Sequence, residues 1–397
     1  MSDTAEKKSG IGSLLMSNLR GYSMFFVLAL IMLVFSYLTG GTNFSSRNFT
    51  NILIQYSYVL ILAVGMVMVI IVLGIDLSVG SVCAFVGSIS AMIYNTGMGM
   101  GPTLIIALAI GALVGAFYGF WIAYMNVPAF IATLAGMLLF RGLSYIITGL
   151  NPISLRDTGY KQMAQGFFPN IWLNKAETFD LLPIIVGVIV AVIFIIFDII
   201  TRRNRKKNNY DVSPVWAFIL KLIVISALII ALSQRFATYR GLPIIVAVLA
   251  ITIFIFQFMM NNTILGRYIY AVGGNARSAK LSGINSELVV FVVFCLMGLL
   301  TGLAAVIHTG YMNSALPAAG TGFEMDAIAS CYIGGVSAAG GIGTVGGVVV
   351  GALIMCAINN GMSLMNLGAA WQQVVRAVIL LLAVFYDVYT RRKAGLG

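Results

Sequence analysis

Few side chains in this sequence could carry chemistry, and the acids inside long apolar tracts are the first to consider. Asp76 lies two residues before Ser78 in "LGIDLSVG", and Glu324 and Asp326 open the tract "EMDAIASCYIGG". A carboxylate in such a place is costly to bury, so a functional role is the default hypothesis. Asp76 also has a structural interpretation, because an acid just before a helix commonly caps its N-terminus. Both roles stay open for it, since a cap can also take part in a movement.

No set of residues for catalysis or metal binding appears in the sequence. His308 is the single histidine and has no second His or acid at ligand spacing, so we expect a structural role for it. The run "GGIGTVGG" lacks the Lys and Ser/Thr pair of a phosphate-binding loop. Four cysteines stand in apolar tracts without metal-ligand spacing and are expected to pack: Cys83, Cys295, Cys331 and Cys356. We therefore predict that the chain is not an enzyme and has no metal site and no cofactor.

One polar, basic segment stands between two apolar tracts: residues 270–285, "YAVGGNARSAKLSGIN". Asn275 is a good helix N-cap, and Gly283 stands where a left-handed residue would end the helix. A helix of this length, about 10 to 12 Å, would be marginal by itself in water. The segment therefore needs a surface to hold it.

The side chains of this predicted helix indicate what it could contact. Ala276 and Ala279 give it a face without bulk, Leu281 adds an apolar point, and Arg277 and Lys280 stand on the other side. Such a small, basic-edged knob suits insertion into a groove on another protein. A capped linker that lies on the bilayer surface is the alternative.

Composition decides which elements must hold these residues. Hydrophobic residues make up 60% of the chain and charged residues 9%, whereas about a quarter of a soluble globular domain is charged. The apolar tracts are continuous over lengths that cross a bilayer as helices, unlike the alternating segments of about ten residues in a membrane barrel. We predict an all-α, polytopic integral membrane protein in contact with lipid.

Twelve apolar blocks are long enough to be spanning helices. They lie near 22–40, 52–73, 77–95, 102–125, 128–149, 181–200, 214–234, 243–260, 288–308, 325–343, 345–364 and 370–389. The third and tenth blocks are short and rich in Gly and Ser, so either could be a broken or re-entrant helix, and the predicted number is ten to twelve. We predict one membrane domain over 22–389, between an N-terminal segment at 1–21 and a C-terminal tail at 390–397.

Loop charges predict the orientation of these spans. If the N-terminus is cytoplasmic, 14 of the 23 Lys and Arg fall on one side. They form four clusters: Lys7/Lys8/Arg20, Arg202/Arg203/Arg205/Lys206/Lys207, Arg267/Arg277/Lys280 and Arg391/Arg392/Lys393. The positive-inside rule then places both termini and the loops 201–213 and 261–287 in the cytoplasm. Membrane orientation accounts for the net charge of +11, so we expect no nucleic-acid partner.

The two halves of the chain share a weak pattern. Asp76 and Asp326 each begin a short helix rich in Gly and Ser, one predicted to enter from the inside and the other from the outside. Glycines recur every fourth residue in the span that follows each helix: Gly111, Gly115 and Gly119, then Gly343, Gly347 and Gly351. Such ridges favour close helix packing, within one subunit or across a dimer.

The pattern is a weak signature of inverted-topology repeats, which place a transport pathway at their interface. The candidate translocation or gating residues are Asp76, Ser78, Glu324 and Asp326.

Several motifs resemble those of one transporter family. They are "VLGIDLSVGS" (72–81), "VPAFIATLAGMLLFRGL" (127–143), "GRYIYAVGGNARSAKLSGIN" (266–285), "EMDAIASCYIGGVSAAGGIGTVGG" (324–347) and "NNGMSLMNLGAAWQQVVRAVILLLAVFYDV" (359–388). Together, and in this order, they are similar to the monosaccharide permeases of bacterial ABC importers, the ribose, galactose, arabinose and xylose group. The resemblance covers most of the chain from residue 45 onward.

The resemblance implies a role and partners. In that family the loop at 261–287 is the coupling element that docks on the ATP-binding subunit. The residues implied to couple are Gly273, Gly274, Asn275, Ala276, Arg277, Ala279, Lys280, Gly283 and Ile284. The implied partners are a cytoplasmic ATP-binding subunit with two fused ATPase domains, a periplasmic or extracellular sugar-binding protein and a second copy of the chain. We expect a multi-pass protein of the bacterial inner membrane.

Two departures from the family pattern leave the substrate open. Leu73 stands where a second glycine is usual, and the 150–180 loop has no clear counterpart. The insertion after the fifth span, with its basic run "TRRNRKKNN", resembles the longer xylose-type or multiple-sugar permeases rather than the ribose type.

We predict the membrane subunit of an ATP-driven importer of monosaccharides, for a xylose-like pentose or several sugars. An ion-coupled secondary carrier would be expected to hold charged coupling sites inside its spans. Four charged residues lie close to the span ends instead: Asp198, Lys221, Arg376 and Asp387. The alternatives are an ABC permease for another solute, such as a nucleoside or a branched-chain amino acid, and an ion-coupled carrier.

Overall fold

The computed structural model describes residues 11–170, 179–208, 210, 212 and 214–393. Residues 1–10 of the predicted N-terminal segment, with Lys7 and Lys8, lie outside the described residues. So do residues 171–178 of the 150–180 loop and residues 394–397 of the predicted tail.

The described part of the chain is helical apart from one pair of short strands. The helices are α1 (Ile11–Leu38), α2 (Ser46–Gln55), α3 (Ser57–Ile71), α4 (Val79–Ile93), α5 (Met100–Ala123), α6 (Ala129–Thr148), α7 (Thr158–Gln165), α8 (Leu182–Lys207), α9 (Val215–Ala237), α10 (Ile244–Asn262), α11 (Ile264–Leu281), α12 (Ser286–Met312), α13 (Phe323–Ile333), α14 (Val345–Leu364) and α15 (Ala369–Lys393). The strands β1 (Ile153–Ser154) and β2 (Ser314–Ala315) pair antiparallel, with Ile153 opposite Ala315. The predicted all-α membrane fold is confirmed.

Nine helices of the described chain are long and apolar enough to cross a membrane: α5, α6, α8, α9, α10, α12, α14, α15 and α4 together with the helical turn that continues it to Met98. The pair α2 and α3 is bent by 47° at its break, and counts as a tenth span if the two helices cross the membrane as one. With its 11 residues, α13 is about 16 Å long, too short for a hydrocarbon core of roughly 30 Å. The described apolar part of α1, Met24–Leu38, is also short. These helices together fit the predicted ten to twelve spans.

The structure decides which of the short blocks are interrupted. The tenth block is short, as predicted, because α13 ends at Ile333 and turns follow it. The third block is not broken: α4 is continuous and leads into a π-helical turn at Tyr94–Met98. The bend lies instead in the second block, at Tyr56 (φ −109°, ψ 15°) between α2 and α3.

The glycine ridges pack helices within this one subunit. A Cβ on Gly111 or Gly115 of α5 would overlap the backbone of α12, and Gly298 of α12 touches the α5 backbone in return. In the second half, Gly347 and Gly351 of α14 lie in the same way against the backbone of α13 and the residue that follows it. Glycines on both sides let these helix axes approach closely. Of the two predicted kinds of packing, the one within the subunit is confirmed.

At the centre of the molecule lies α3, and all 15 of its residues are buried. Around it pack α12, α13 and α14. The helices α8, α9 and α15 lie at the periphery and expose many large apolar side chains, as surfaces in contact with lipid do.

Contacts between helices follow the predicted repeat. One short helix, α4, packs against α5, α6 and α12, and the other, α13, packs against α14, α15 and α3. If α3–α6 and α12–α15 are equivalent, each set of contacts is the counterpart of the other. The N-terminal ends of α4 and α13 meet, because Gly80 contacts the carbonyl oxygen of Gly320. This arrangement supports inverted repeats.

The insertion after α7 forms an outer hairpin of α8 and α9. Gly187 lets α8 approach α9 at Ser233. Lys221 lies 2.8 Å from Asp198 and 5.8 Å from the ring centroid of Phe194. Two of the charges that the sequence placed near span ends therefore pair with each other.

Candidate functional site

The predicted coupling segment is the second part of α11, which changes direction at Asn275 (φ −161°, ψ 97°). The backbone N–H of Ser278 donates to Asn275 Oδ1 at 2.9 Å, as expected of an N-cap. Gly283 has φ +84°, in the left-handed region that commonly ends a helix. The predicted cap and helix end are confirmed. The structure adds a helical part at 264–274, where the sequence analysis expected a loop.

The helix at 276–281 is exposed at every residue except Ala279. Ala276, Arg277 and Lys280 are exposed, and Leu281 is 84% exposed. Ala279 is only 5% exposed, so the prediction that Ala276 and Ala279 share one outer face is wrong. A two-turn helix needs contact with the protein to remain folded, and Ala279 is its buried residue.

The first part of α11 lies directly on the membrane domain. Gly273 is buried and contacts the carbonyl group of Ile71, the last residue of α3. The same carbonyl accepts a hydrogen bond from the N–H of Gly341 at 3.0 Å. The hydroxyl of Tyr270 donates to the carbonyl of Gly343 at 2.8 Å. The coupling segment is thus joined to the end of α3 and to the turn between α13 and α14.

The remaining predicted coupling residues lie on the accessible side. Gly274 and Gly283 are exposed, and Ile284 is partly buried. Lys280 forms an ion pair with Glu287 at 2.5 Å, with side-chain exposures of 66% and 36%. An exposed pair of this kind contributes little to stability, so Lys280 can exchange it for a contact with a partner.

Asp76 is buried in the turn between α3 and α4. Its Oδ1 accepts hydrogen bonds from the backbone N–H of Ser78 at 2.8 Å and from the Ser78 hydroxyl at 2.6 Å. Ser78 itself is the N-cap of α4, so Asp76 acts one step earlier than predicted, by closing the turn that leads into the helix. Thr133 of α6 donates to the carbonyl of Ile75 at 3.1 Å. The prediction that Asp76 caps α4 is wrong, because Ser78 is the N-cap and Asp76 closes the turn before it. Its role in gating stays a prediction.

Glu324 is the second residue of α13, and its side chain lies beside the N-terminus of α4. A Cβ on Gly80 would come within 2.9 Å of Glu324 Oε2. The segment before α13 is held by Arg141 of α6, whose guanidinium donates to the carbonyls of Pro317 at 3.2 Å and Ala319 at 2.6 Å. Sequence analysis missed Arg141, although a charge in the middle of an apolar block is a signal for it.

Asp326 is fully buried and joins three helices. Its Oδ2 accepts a hydrogen bond from Asn359 of α14 at 3.2 Å, and its Oδ1 lies 3.5 Å from Arg376 Nε of α15. Arg376 also donates to Asn359 Oδ1 at 3.1 Å. Arg376 lies seven residues into α15, about 10 Å along its axis. Arg376 therefore lies further from the end of the span than expected, and it pairs with a buried acid.

A second buried cluster ties the first half of the bent span to α14. Asn48 and Asn360 donate to each other's side-chain oxygens, at 2.9 and 3.0 Å. Asn48 also donates to the carbonyl of Asn43 at 3.1 Å. Sequence analysis missed these residues, although amides within spans form such bonds between helices.

The histidine and the cysteines have packing contacts. His308 meets the rings of Tyr58 and Phe323 edge-on, with centroid distances of 5.4 and 5.0 Å. All four cysteines are free, and three of them are buried. Among the described residues, no three His, Cys, Asp or Glu are grouped to hold a metal ion. The buried polar groups described above join helices, and such contacts can transmit or resist movement.

Known proteins are similar to this chain over most of its length. Residues 48–384 match the family described as "Branched-chain amino acid transport system / permease component". A xylose transport system permease protein of Haemophilus influenzae is 38% identical over 377 residues, which cover 95% of this chain and 98% of that protein. The chain belongs to this permease family. The corresponding xylose protein of Escherichia coli is 38% identical over 387 residues, 97% of this chain and 95% of its own.

A third member of the permease family extends the comparison to another sugar. The ribose import permease protein of Escherichia coli is 35% identical over 362 residues, which cover 91% of this chain and 92% of that protein. The resemblance to ABC-importer sugar permeases, first indicated by the motifs, is confirmed. No solved structure matches the chain.

Proposed function

We propose that this chain is the membrane subunit of an ATP-driven ABC importer for monosaccharides, a xylose-like pentose or several sugars. The observation that carries the proposal is the similarity, over nearly the whole length, to permeases named for xylose and ribose. The insertion that forms α8 and α9 favours the xylose-type relatives, as the sequence analysis expected.

The proposed partners are those that the family resemblance implies, and the exposed helix at 276–281 supports one of them. Arg277, Lys280 and Leu281 form a basic and apolar tip that a cytoplasmic ATP-binding subunit, with two fused ATPase domains, would take into a groove. A sugar-binding protein would deliver the substrate at the opposite end, and a second copy would complete the importer. Both termini and the coupling segment would then be cytoplasmic, in the inner membrane of a bacterium.

The contacts of α11 supply a route by which a movement of the docked ATP-binding subunit would reach the membrane helices. A shift of the docked helix would act first at Gly273, which lies on Ile71 and beside Gly341. Ile71 ends α3, and the next turn holds Asp76, while Gly341 belongs to the turn after α13. A displacement of the docked helix would therefore reach both α4 and α13, whose N-terminal ends meet at the centre. Packed elements with two arrangements can carry such a rigid-body change.

Two other functions remain as candidates, each with one observation in its favour. The family description names branched-chain amino acids, so the solute could be of another class. The buried pair of Asp326 and Arg376 is of the kind that ion-coupled carriers use, although the family favours an ATP-driven importer.

The test is transport by the reconstituted importer. Proteoliposomes would hold this permease with an ATP-binding subunit and a sugar-binding protein from the same bacterium, and the uptake of radiolabelled D-xylose, D-ribose and L-leucine would be measured. We expect ATP-dependent sugar uptake that persists when proton and sodium gradients are collapsed. Uptake that follows an ion gradient without ATP, or uptake of leucine alone, would contradict the proposal.

A further inference from the structure

A polar cavity of about 170 Å³ opens at one end of the molecule. It is lined by Asn51, Ile54, Gln55, Gln165, Phe167, Tyr239, Arg240 and Tyr311. Tyr311 is 25 residues beyond the start of α12, about 37 Å along the helix axis. Since α12 starts beside the coupling segment, the cavity lies at the other end of the membrane domain.

The broken span forms one wall of the cavity. Asn51 and Gln55 are four residues apart on α2 and so lie on the same face, and Gln55 is the last residue before the bend at Tyr56. The end of a helix leaves backbone carbonyls without a partner in the next turn. In transporters, interrupted helices commonly supply the groups that bind the substrate. The bend therefore places the end of α2, with Asn51 and Gln55, at the cavity.

Aromatic rings and one guanidinium form the opposite wall. The Arg240 guanidinium lies 5.1 Å from the ring centroid of Phe167, and Tyr239 meets the same ring edge-on at 6.4 Å between centroids. Gln165 donates to the carbonyl of Tyr311, which leaves its side-chain oxygen able to accept another hydrogen bond. Rigid rings with a few placed polar groups are typical of small-molecule sites.

The loop that carries Gln165 and Phe167 is fastened to the membrane domain. Asp157, just before α7, accepts hydrogen bonds from the Tyr94 hydroxyl and from the N–H of Gly159. The Tyr94 hydrogen bond, followed by that of Gly159, lowers the pKa of the Asp157 carboxyl. A lowered pKa means that this attachment is present above the ordinary range of an aspartic acid and is lost only in acid. At neutral pH the wall of the cavity is therefore held in place.

The lining determines the class of ligand. Three amides, two tyrosines and an arginine offer both donors and acceptors, and Ile54 is the only aliphatic side chain among the described lining residues. None of those residues is a carboxylate, so an ammonium group would find no counter-charge. The volume is below the roughly 300 to 1,000 Å³ of sites for drug-sized ligands. Arg240 is the one charged lining residue; its guanidinium lies over the Phe167 ring and can also donate to hydroxyl oxygens. These features suit one small molecule with many hydroxyl groups.

We propose that this cavity is a binding site for a single monosaccharide, at which the permease receives its substrate before transport. The assignment rests on the proposed function, because it makes the cavity the outer end of the pathway along which the importer would move its sugar. Amide and hydroxyl groups of Asn51, Gln55 and Gln165 bind the sugar hydroxyls, while the ring of Phe167 covers its apolar face.

Saturation-transfer NMR on the permease in nanodiscs, with D-xylose and L-leucine as probes, tests the site directly. We expect transfer to D-xylose, and at least a fivefold loss of it in Asn51→Leu, Gln55→Leu and Phe167→Ala. Gln234→Leu, at an exposed position of α9 outside the cavity, and Phe168→Ala, next to Phe167, are the matched controls. Size-exclusion chromatography checks the fold of each variant. If Phe167→Ala elutes differently from the wild type, the binding of D-xylose by Asn51→Leu and Gln55→Leu decides the test.

Three outcomes overturn the assignment: no transfer to D-xylose, equal transfer in cavity and control variants, or preferred transfer to L-leucine. ATP-dependent sugar uptake by the wild type tests the proposed function separately from the cavity assignment. If the wild type imports no monosaccharide, the proposed function fails. If it imports a sugar and the cavity variants bind and import it equally well, only the cavity assignment fails.

Discussion

The turn after α3 holds a leucine in a conformation that favours glycine. Leu73 has φ +64°, which costs an L-residue roughly 1–2 kcal/mol. We expect Leu73→Gly to raise the free energy of unfolding by about 1 kcal/mol, measured by thermal unfolding in detergent. Val72→Gly is the control, since Val72 has φ −85° and glycine brings no relief there. Equal destabilisation by both substitutions would contradict the explanation.

Gly283 ends the coupling helix and has open space around its α-carbon. Only its positive φ of +84° opposes a side chain, and a β-branched residue resists that conformation. We expect Gly283→Val to uncouple transport: sugar uptake falls at least tenfold, while membrane insertion is unchanged. Gly368→Val is matched, because Gly368 also has open space but no positive φ. Normal uptake by Gly283→Val would count against the proposed helix end.

Asp326 and Arg376 form an ion pair in which the acid is fully buried. Removing one partner leaves an uncompensated charge, which costs roughly 3–5 kcal/mol. We therefore expect Arg376→Gln to lower the unfolding temperature strongly, and the double variant Asp326→Asn with Arg376→Gln to recover much of the loss. The wild type, the single variants Asp326→Asn and Arg376→Gln, and the double variant form a double-mutant cycle. Additive effects of the two substitutions would show that the pair is not coupled.

At the scale of elements, α11 divides its two tasks at Asn275. Residues 264–274 hold the helix on α3, and residues 276–281 present its exposed face. Because the bend separates a fixed part from an accessible part, the second part can be altered without disturbing the membrane domain.

Leu281 tests this division. We expect Leu281→Asp to reduce co-purification of the ATPase at least fivefold, because a charge replaces the apolar tip, with no change in the yield of the permease. Leu150→Asp is the control, since Leu150 is 70% exposed at the turn after α6, on the end of the molecule away from α11. Retention of the ATPase by Leu281→Asp would place the docking surface elsewhere.

At the scale of the whole molecule, the two halves of the predicted repeat meet where α4 and α13 begin. The contact is between Gly80 and Gly320, without room for a side chain. If the two short helices move against each other during transport, this contact is their pivot. Asp76 lies before one helix end, and Glu324 and Asp326 lie in the first turn of the other, so acids face the positive end of each helix.

Substitution at Gly80 tests the pivot. A methyl group there would overlap the carbonyl of Gly320, so we expect Gly80→Ala to reduce sugar uptake at least tenfold while the ATPase still co-purifies. Gly101→Ala, in open space at the start of α5, should transport normally. Wild-type uptake by Gly80→Ala would show that the contact opens without consequence.

The sequence by itself determined the features that depend on composition and on near neighbours. Sixty per cent hydrophobic residues require membrane helices whatever their packing. The cap at Asn275 and the left-handed Gly283 follow from the preferences of single residues and their closest neighbours. The family motifs were recognisable for the same reason, since they are short and continuous.

Only the tertiary structure decided which distant residues meet. Asp326 and Arg376 are 50 residues apart, and no local pattern shows that their helices touch. The burial of Ala279, the bend at Tyr56 and the cavity beyond it also depend on contacts between segments far apart in the chain. Local chemistry fixes what each segment can form, but the packing of apolar helices is set by shape over the whole molecule, and it alone places the polar groups opposite one another.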